Sequence, residues 1–220
     1  VFVNSPGNPT GWVMPKEQQN LLLNHTRDLG CWLISDEVYH QITFNNFVSP
    51  SFLELSKPND RLIVINSASK SFNMTGWRIG WITHPEELGS HIAKLVQITT
   101  TGVPEFLQNG LVSALENHKT ITHELRKNLK KSRDIMFDRL VNWNQVECCI
   151  PDAAFYAFFK VIGINDSLDF AKKLILETNV GVAPGVAFGA SGEGHLRICF
   201  AAKDTFIIEI MDRLEPVLNK

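Results

Sequence analysis

No run of about 20 apolar residues, the length a membrane-spanning helix requires, occurs anywhere in this sequence. No charged segment followed by an apolar core opens it in the manner of a signal peptide. Basic residues are not concentrated. The 21 lysines and arginines stand against 23 acids, for a formal net charge of −2, whereas a nucleic-acid surface needs a clustered basic patch. The basic run Arg126-Lys127 to Lys130-Lys131 is expected to be a solvated helix face. The four cysteines, Cys31, Cys148, Cys149 and Cys199, include no CxxC spacing. Cys31 and Cys199 fall in strand-like apolar runs, so the expectation is reduced core thiols. The seven histidines show no metal-ligand spacing, and His25 and His195 are expected to face solvent. Internal repeats and low-complexity segments are absent. The expectation is a soluble, cytoplasmic chain without a metal site.

What is present is enough apolar material for a sizeable core: 44 % of 220 residues, suiting one large domain or two small ones. Val1 to Asn4 already reads as a strand, with no methionine before it, so the chain is expected to be a piece of something longer. A loop cluster, Ser5 to Gly11, follows. A helix is expected from about Pro15 to Leu29, with proline in its first turn and Gly30 just beyond its end. Strands are expected at Cys31 to Ser35, Arg61 to Asn66 and Arg78 to Thr83. Residues 40 to 60 between them are loop-rich, with a short helix near Phe52 to Leu55. This is the rhythm of an α/β fold, a mostly parallel open sheet. Helices then dominate: Glu86 to Thr99, Glu105 to Glu116, and a longer one from Lys119 to Val141. Strands at Val146 to Ile150, Phe155 to Val161, Val180 to Ala183 and His195 to Phe200 are interleaved with helices at Ser167 to Thr178 and Asp204 to Leu218. The division suggested is residues 1–116 as part of a large domain and 117–220 as a smaller α+β domain.

The chain is organised around Ile65 to Gly80, where an apolar run ends in Ser67-Ala68-Ser69-Lys70 and, after a polar stretch, Gly76-Trp77-Arg78. In doubly wound sheets, ligands sit at the carboxyl ends of the strands. Three strand ends here carry polar groups: Asn8 shortly after the first, Asp36 and Tyr39 after the second, and Ser67 to Lys70 after the third. Singly, each has an ordinary reading. Asn8 is a turn residue, Asp36 a helix cap, Ser67 and Ser69 strand-end caps, and Arg78 half of a surface ion pair. If the strands are parallel neighbours, all of them fit one ligand. Trp77 reads as packing rather than as a stacking ring.

Asn8-Pro9-Thr10-Gly11, Asp36-Glu37-Val38-Tyr39, Ser67-Ala68-Ser69-Lys70 and Gly76-Trp77-Arg78-Ile79-Gly80 resemble the successive motifs of the fold-type I pyridoxal-phosphate aminotransferases, the aspartate, aromatic and alanine aminotransferase group. Val182-Ala183-Pro184-Gly185 and His195-Leu196-Arg197-Ile198 resemble its later motifs. The resemblance implies a catalytic role for Lys70 as the amine that forms the internal aldimine with pyridoxal 5′-phosphate, chemistry open to a desolvated lysine. It implies that Asp36 pairs with the cofactor's ring nitrogen, and that Tyr39 and Asn8 hydrogen-bond its phenolic oxygen. Ser67, Ser69 and Arg78 would form part of the phosphate site, two hydroxyls and a bidentate cation suiting a dianion. Arg197, with Asn8, would bind the substrate's α-carboxylate.

The activity implied is transamination between an amino acid and a 2-oxo acid, in a homodimer with a shared active site. Two other readings stand beside it: β-elimination on the same scaffold, and an effector-binding domain of a transcriptional regulator, since fold does not fix reaction. Family members are typically far longer, which makes this chain the expected C-terminal portion of an enzyme. The four sheet strands would be contiguous, the last antiparallel, with Val1 to Asn4 an unpaired edge. Alone, such a portion is expected to bind cofactor weakly.

Overall fold

The computed structural model describes residues 1–45 and 48–220. Of the stretch 40–60 read as loop-rich, residues 46 and 47 lie outside the described residues. The chain forms two compact units. One comprises Val1–Gly7 and Trp12–Leu125, the other Asn8–Gly11 and Arg126–Lys220.

The first unit is built on a sheet of β1 (Phe2–Asn4), β2 (Leu33–Asp36), β3 (Leu62–Ser67) and β4 (Gly80–Thr83), in that spatial order. The first three run parallel and β4 is antiparallel to β3. Among the described residues β1 pairs only with β2, the edge the sequence predicts. Alternation along β2 sends Leu33 and Ser35 to a buried face and leaves Ile34 and Asp36 half-buried on the other. Leu62 and Val64 of β3 share the buried face, where they form a core with Leu33, Phe52 and Leu23 of helix α1 (Lys16–Asp28). Gly30, at φ +62°, makes the left-handed turn out of that helix. A second core gathers Ala68, Phe72, Met74 and Ile79 with Ala114 of α4 (Glu105–Glu116). Trp77, though 42 % exposed, packs on α4, as expected: a Cβ on Gly110 would run into its ring.

Several boundaries differ from expectation, each for a local reason. β2 begins two residues late because the Cys31 amide donates to Thr26 O, closing the exit turn of α1. It runs on through Asp36 because the parallel ladder pairs that residue with both Asn4 and Ile65. Arg78 is not in a strand. A 3-10 turn, Thr75–Trp77, ends on it in the left-handed region at φ +53°, and pairing starts at Gly80. There, side-chain-free backbone is required, since a Cβ would lie 2.6 Å from Asn66 O. The first turn of the helix expected from Glu86 is a 3-10 turn, Glu86–Leu88, before α3 (Gly89–Thr99).

The second unit carries an antiparallel sheet, β5 (Val146–Cys148), β6 (Tyr156–Val161), β8 (His195–Cys199) and β7 (Ala183–Pro184), in that order. Helices α5 (His118–Leu140), α6 (Ser167–Thr178) and α7 (Asp204–Leu218) accompany it, and the boundary between units falls within α5. Ala157, Phe159 and Val161 of β6 and Leu196 and Ile198 of β8 are buried, as are Leu174 of α6 and Ile207, Met211 and Leu214 of α7. Their neighbours on the opposite face, Phe158, His195 and Arg197, are half-buried. The strand expected at Val180 to Ala183 shrinks to two residues. α6 exits through Asn179 at φ +57°, and the Val180 amide donates to the Thr178 hydroxyl instead of a strand. β5 is likewise shorter than expected, since its ladder to β6 covers Val146 to Cys148.

Two expectations about side chains fail, and a third holds except at one residue. Cys199 is exposed and Cys31 only half-buried, so neither is a core thiol; all four cysteines are free. His195 is half-buried and lies flat on Phe158, ring centroids 4.8 Å apart. In the basic run, Lys130 and Lys131 pair with Asp134 and Asp204 on an exposed face, while Arg126 is half-buried. Among the described residues no helix is long and apolar enough to cross a membrane.

Candidate active site

Residues of the first unit supply most of the predicted cofactor site. Parallel pairing puts the carboxyl ends of β2 and β3 side by side, with Asp36 opposite Ile65, two residues before Ser67. β3 then passes directly into the short helix α2 (Ala68–Ser71), which carries Lys70. The Ser67 hydroxyl accepts the Ser69 N–H at 3.1 Å, which caps α2, and donates to Ile79 O at 3.3 Å. The capping reading of Ser67 is therefore correct in this structure. Ser69 is buried and Lys70 half-buried.

Asp36 Oδ1 accepts one backbone N–H, from Val38 at 3.2 Å. Burial raises the pKa of its carboxyl above the usual carboxylate value, against the opposing pull of that hydrogen bond. A carboxylate in this state favours a cationic partner, which would reverse the shift. Tyr39 is buried on the turn that follows, where its carbonyl accepts the Ile42 N–H at 2.8 Å. Arg78 is exposed, and its Nη1 donates to Thr75 O at 2.9 Å. Ser67, Ser69 and Lys70 thus share one strand-to-helix turn at the sheet end that Asp36 occupies, whereas Arg78 sits on a separate turn.

The other two predicted residues belong to the second unit. Arg197, on β8, donates from Nη1 to Asn8 Oδ1 at 2.9 Å. Its guanidinium carbon lies 4.4 Å from the ring centroid of Tyr156 and 4.7 Å from that of Phe188. Its Nε is buried and has no hydrogen-bond partner among the described residues. Asn8 reaches Arg197 because the segment 8–11 is packed into this unit. The Ala153 N–H donates to Gly11 O at 3.1 Å, and a Cβ on Gly11 would meet Ala153 O at 2.6 Å.

Two residues escaped the sequence reading. Glu37 is buried, and its carboxylate accepts the Ser35 hydroxyl at 3.0 Å and the Phe52 N–H at 3.1 Å, tying the end of β2 to the loop core. Arg133 is buried and donates to Pro151 O at 3.2 Å. Its position in α5 offers no motif; only its place one turn from Leu129 and Met136 could have marked it as inward-facing.

A model of aminotransferase class I and II sequences matches residues 1–213. The chain belongs to that family. It is 31 % identical over its whole length to the aspartate aminotransferase of Pyrococcus horikoshii and covers 56 % of that protein. It is 32 % identical to a probable N-acetyl-LL-diaminopimelate aminotransferase of Bacillus subtilis, covering 55 %. Among solved structures, an aromatic aminotransferase from Pyrococcus horikoshii superposes with a TM-score of 0.90 at 32 % identity, over 99 % of this chain and 59 % of that one. The aspartate aminotransferase of Thermotoga maritima gives 0.89 at 33 % identity, over 100 % and 56 %. The chain therefore spans just over half the length of the curated relatives it matches. Class I and II aminotransferases depend on pyridoxal phosphate. The residues present fit that group at two points: Asp36 suits a protonated ring nitrogen, and Lys70 offers an amine beside two serines.

Proposed function

We propose that the protein carrying this chain is an aminotransferase that exchanges an amino group between an amino acid and a 2-oxo acid with pyridoxal phosphate. The observation that carries this reading is the Ser67–Lys70 turn beside Asp36, in a chain aligned over its whole length with named aminotransferases.

Lys70 is the catalytic residue. When bound, the cofactor supplies a carbonyl carbon for the amino group and a ring that draws electrons from the substrate Cα. Lys70 Nζ would hold the cofactor at its carbonyl carbon, and as a free amine it would serve as the general base that takes the proton from the substrate Cα. Asp36, half-buried and with a single backbone donor, would keep a proton on the ring nitrogen. Ser67, Ser69 and Arg78 would hold the phosphate; Ser67 and Arg78 now donate to Ile79 O and Thr75 O. Tyr39 and Asn8 hold the phenolic oxygen. Arg197, with Asn8, orients the α-carboxylate. Residues 1–116 belong to the cofactor-binding domain and 117–220 to a small domain, a division supported by the two compact units, whose boundary lies further along, inside α5. By the family resemblance, the protein works in the cytoplasm as a homodimer with shared active sites.

Borohydride reduction of the full protein loaded with pyridoxal phosphate, followed by peptide mapping, is expected to place the phosphopyridoxyl group on Lys70. Lys70→Ala should abolish both this label and the transfer of one amino group per oxo acid formed. Labelling of another lysine, or release of pyruvate and ammonia without amino transfer, would overturn the reading.

A further inference from the structure

Arg197 is clasped by two aromatic rings, and the rings are held very differently. Tyr156 is a strand residue, packed in β6 opposite Cys199. Phe188 comes from a 3-10 turn, Gly185–Phe188, that no regular element fixes. That turn is nonetheless rigidly seated. A Cβ on Gly185 would lie 2.7 Å from His195 O, so the turn presses backbone to backbone against the start of β8. The Val186 N–H donates to Ser167 Oγ at 3.2 Å, and the Gly189 N–H closes onto Val186 O at 3.1 Å. Gly189 then leaves at φ +114°, a conformation that glycine adopts readily. The ring of Phe188 also meets Phe158 edge-on, at 6.0 Å and 83°. These contacts leave the Phe188 ring one well-supported position, 4.7 Å from the guanidinium carbon.

Asn8 takes a single Nη1 hydrogen, and among the described residues nothing takes the hydrogens of Nη2 or Nε. A single hydrogen bond does not fix the plane of a guanidinium, but an aromatic face does. We propose that Phe188 is a positioning residue for Arg197, its ring setting the guanidinium plane so that the Nη2 N–H groups meet a substrate carboxylate. This rests on the reading of Arg197 as the carboxylate anchor. Phe188 acts through Arg197, which its ring contacts at 4.7 Å. Its effect is on binding, shared by the amino acid and the oxo acid because both carry the same carboxylate.

The test compares Phe188→Leu and Phe188→Met, which keep an apolar side chain but lose the flat face, with Phe188→Tyr, which keeps it. All are made in the full protein loaded with pyridoxal phosphate, with Arg197→Lys alongside. Phe188→Leu and Phe188→Met are expected to raise KM for both amino donor and oxo acceptor on the order of tenfold, with kcat within about threefold. Phe188→Tyr should restore KM to within about threefold of the parent. An unchanged KM in the leucine and methionine variants, while Arg197→Lys raises it, overturns the positioning role and leaves the carboxylate reading standing. An unchanged KM in Arg197→Lys overturns both. Variants that lose their fold or their cofactor, or an effect that Phe188→Tyr does not rescue, would show a plain packing role and sink the proposal.

Discussion

Asp36 and Glu37 are adjacent acids that the strand sends to opposite faces, and both have carboxyl groups pushed up by burial. For Glu37 the burial outweighs the hydroxyl and amide donors around it. A carboxyl whose folded pKa is raised contributes stability that is fully present below its unfolded value and is lost as pH rises through the folded one. The window therefore opens near the ordinary glutamate value of 4.5 and extends upward. Glu37→Gln removes this titration and leaves that of Asp36 in place. The stability of the parent relative to Glu37→Gln should fall as pH rises above about 4.5, by at most one proton's worth of slope. Urea midpoints measured across that range would show it, and parallel profiles would refute it. At this scale the candidate site was read from the order of its short motifs rather than from any one residue, and those motifs give Asp36, Tyr39 and Lys70 at or just after the ends of β2 and β3. The aromatic clasp of Arg197 was not, because Tyr156, Phe188 and Arg197 are remote in sequence and meet only through the pairing of β6 with β8 and the turn at Gly185. Glu37 was passed over because an acid beside another acid looks like surface, and only strand alternation turns it inward.

Elements were legible where their ends carry local signals. α6 and α7 occupy the residues expected, Ser167–Thr178 and Asp204–Leu218, because their periodicity is clear and their starts are marked by acids. In α6 the Asp166 side chain accepts the Asp169 N–H at 2.8 Å, a first-turn cap. Asp166→Ala should cost about 1 kcal/mol, and Asp166→Asn almost nothing. Amide exchange should localise the loss to the first turn of α6, and an unchanged exchange rate there would refute the assignment. The cap is not the only support, since Glu193 Oε1 accepts the Ser167 N–H at 2.6 Å, so the helix should fray rather than unfold. Strand ends were less legible because a ladder extends or stops according to its partner. Asp36 is drawn into β2 by pairing on both sides, and Val180 is excluded from β7 by the left-handed exit at Asn179. Neither partner is visible from the strand's own residues.

At the scale of the whole chain, the first unit leaves much apolar surface uncovered. Trp81 and Ile82 of β4, Leu95 and Ile98 of α3, and Phe106 and Val112 of α4 are all exposed, Ile98 at 81 % and Phe106 at 71 %. Single exposed apolar side chains are ordinary, but six large ones on three elements of one unit offer apolar surface that a partner could cover. β1 adds an edge whose outer backbone groups have no strand partner among the described residues, and such edges template pairing with another chain. The sequence implied the edge through the family resemblance, which makes the four strands contiguous. It did not show the exposed helix faces, since α3 and α4 carry apolar residues on more sides than one core can cover. The 220-residue chain expressed alone is therefore expected to self-associate at micromolar concentration and to bind an apolar dye. Replacing Ile98 and Phe106 together by glutamate should reduce both effects without unfolding the chain, because each side chain removed is already in solvent. Sedimentation velocity decides the matter. A single species of 24.8 kDa at tens of micromolar, with no dye uptake, would mean that these faces are covered in solution in some way the present fold does not provide.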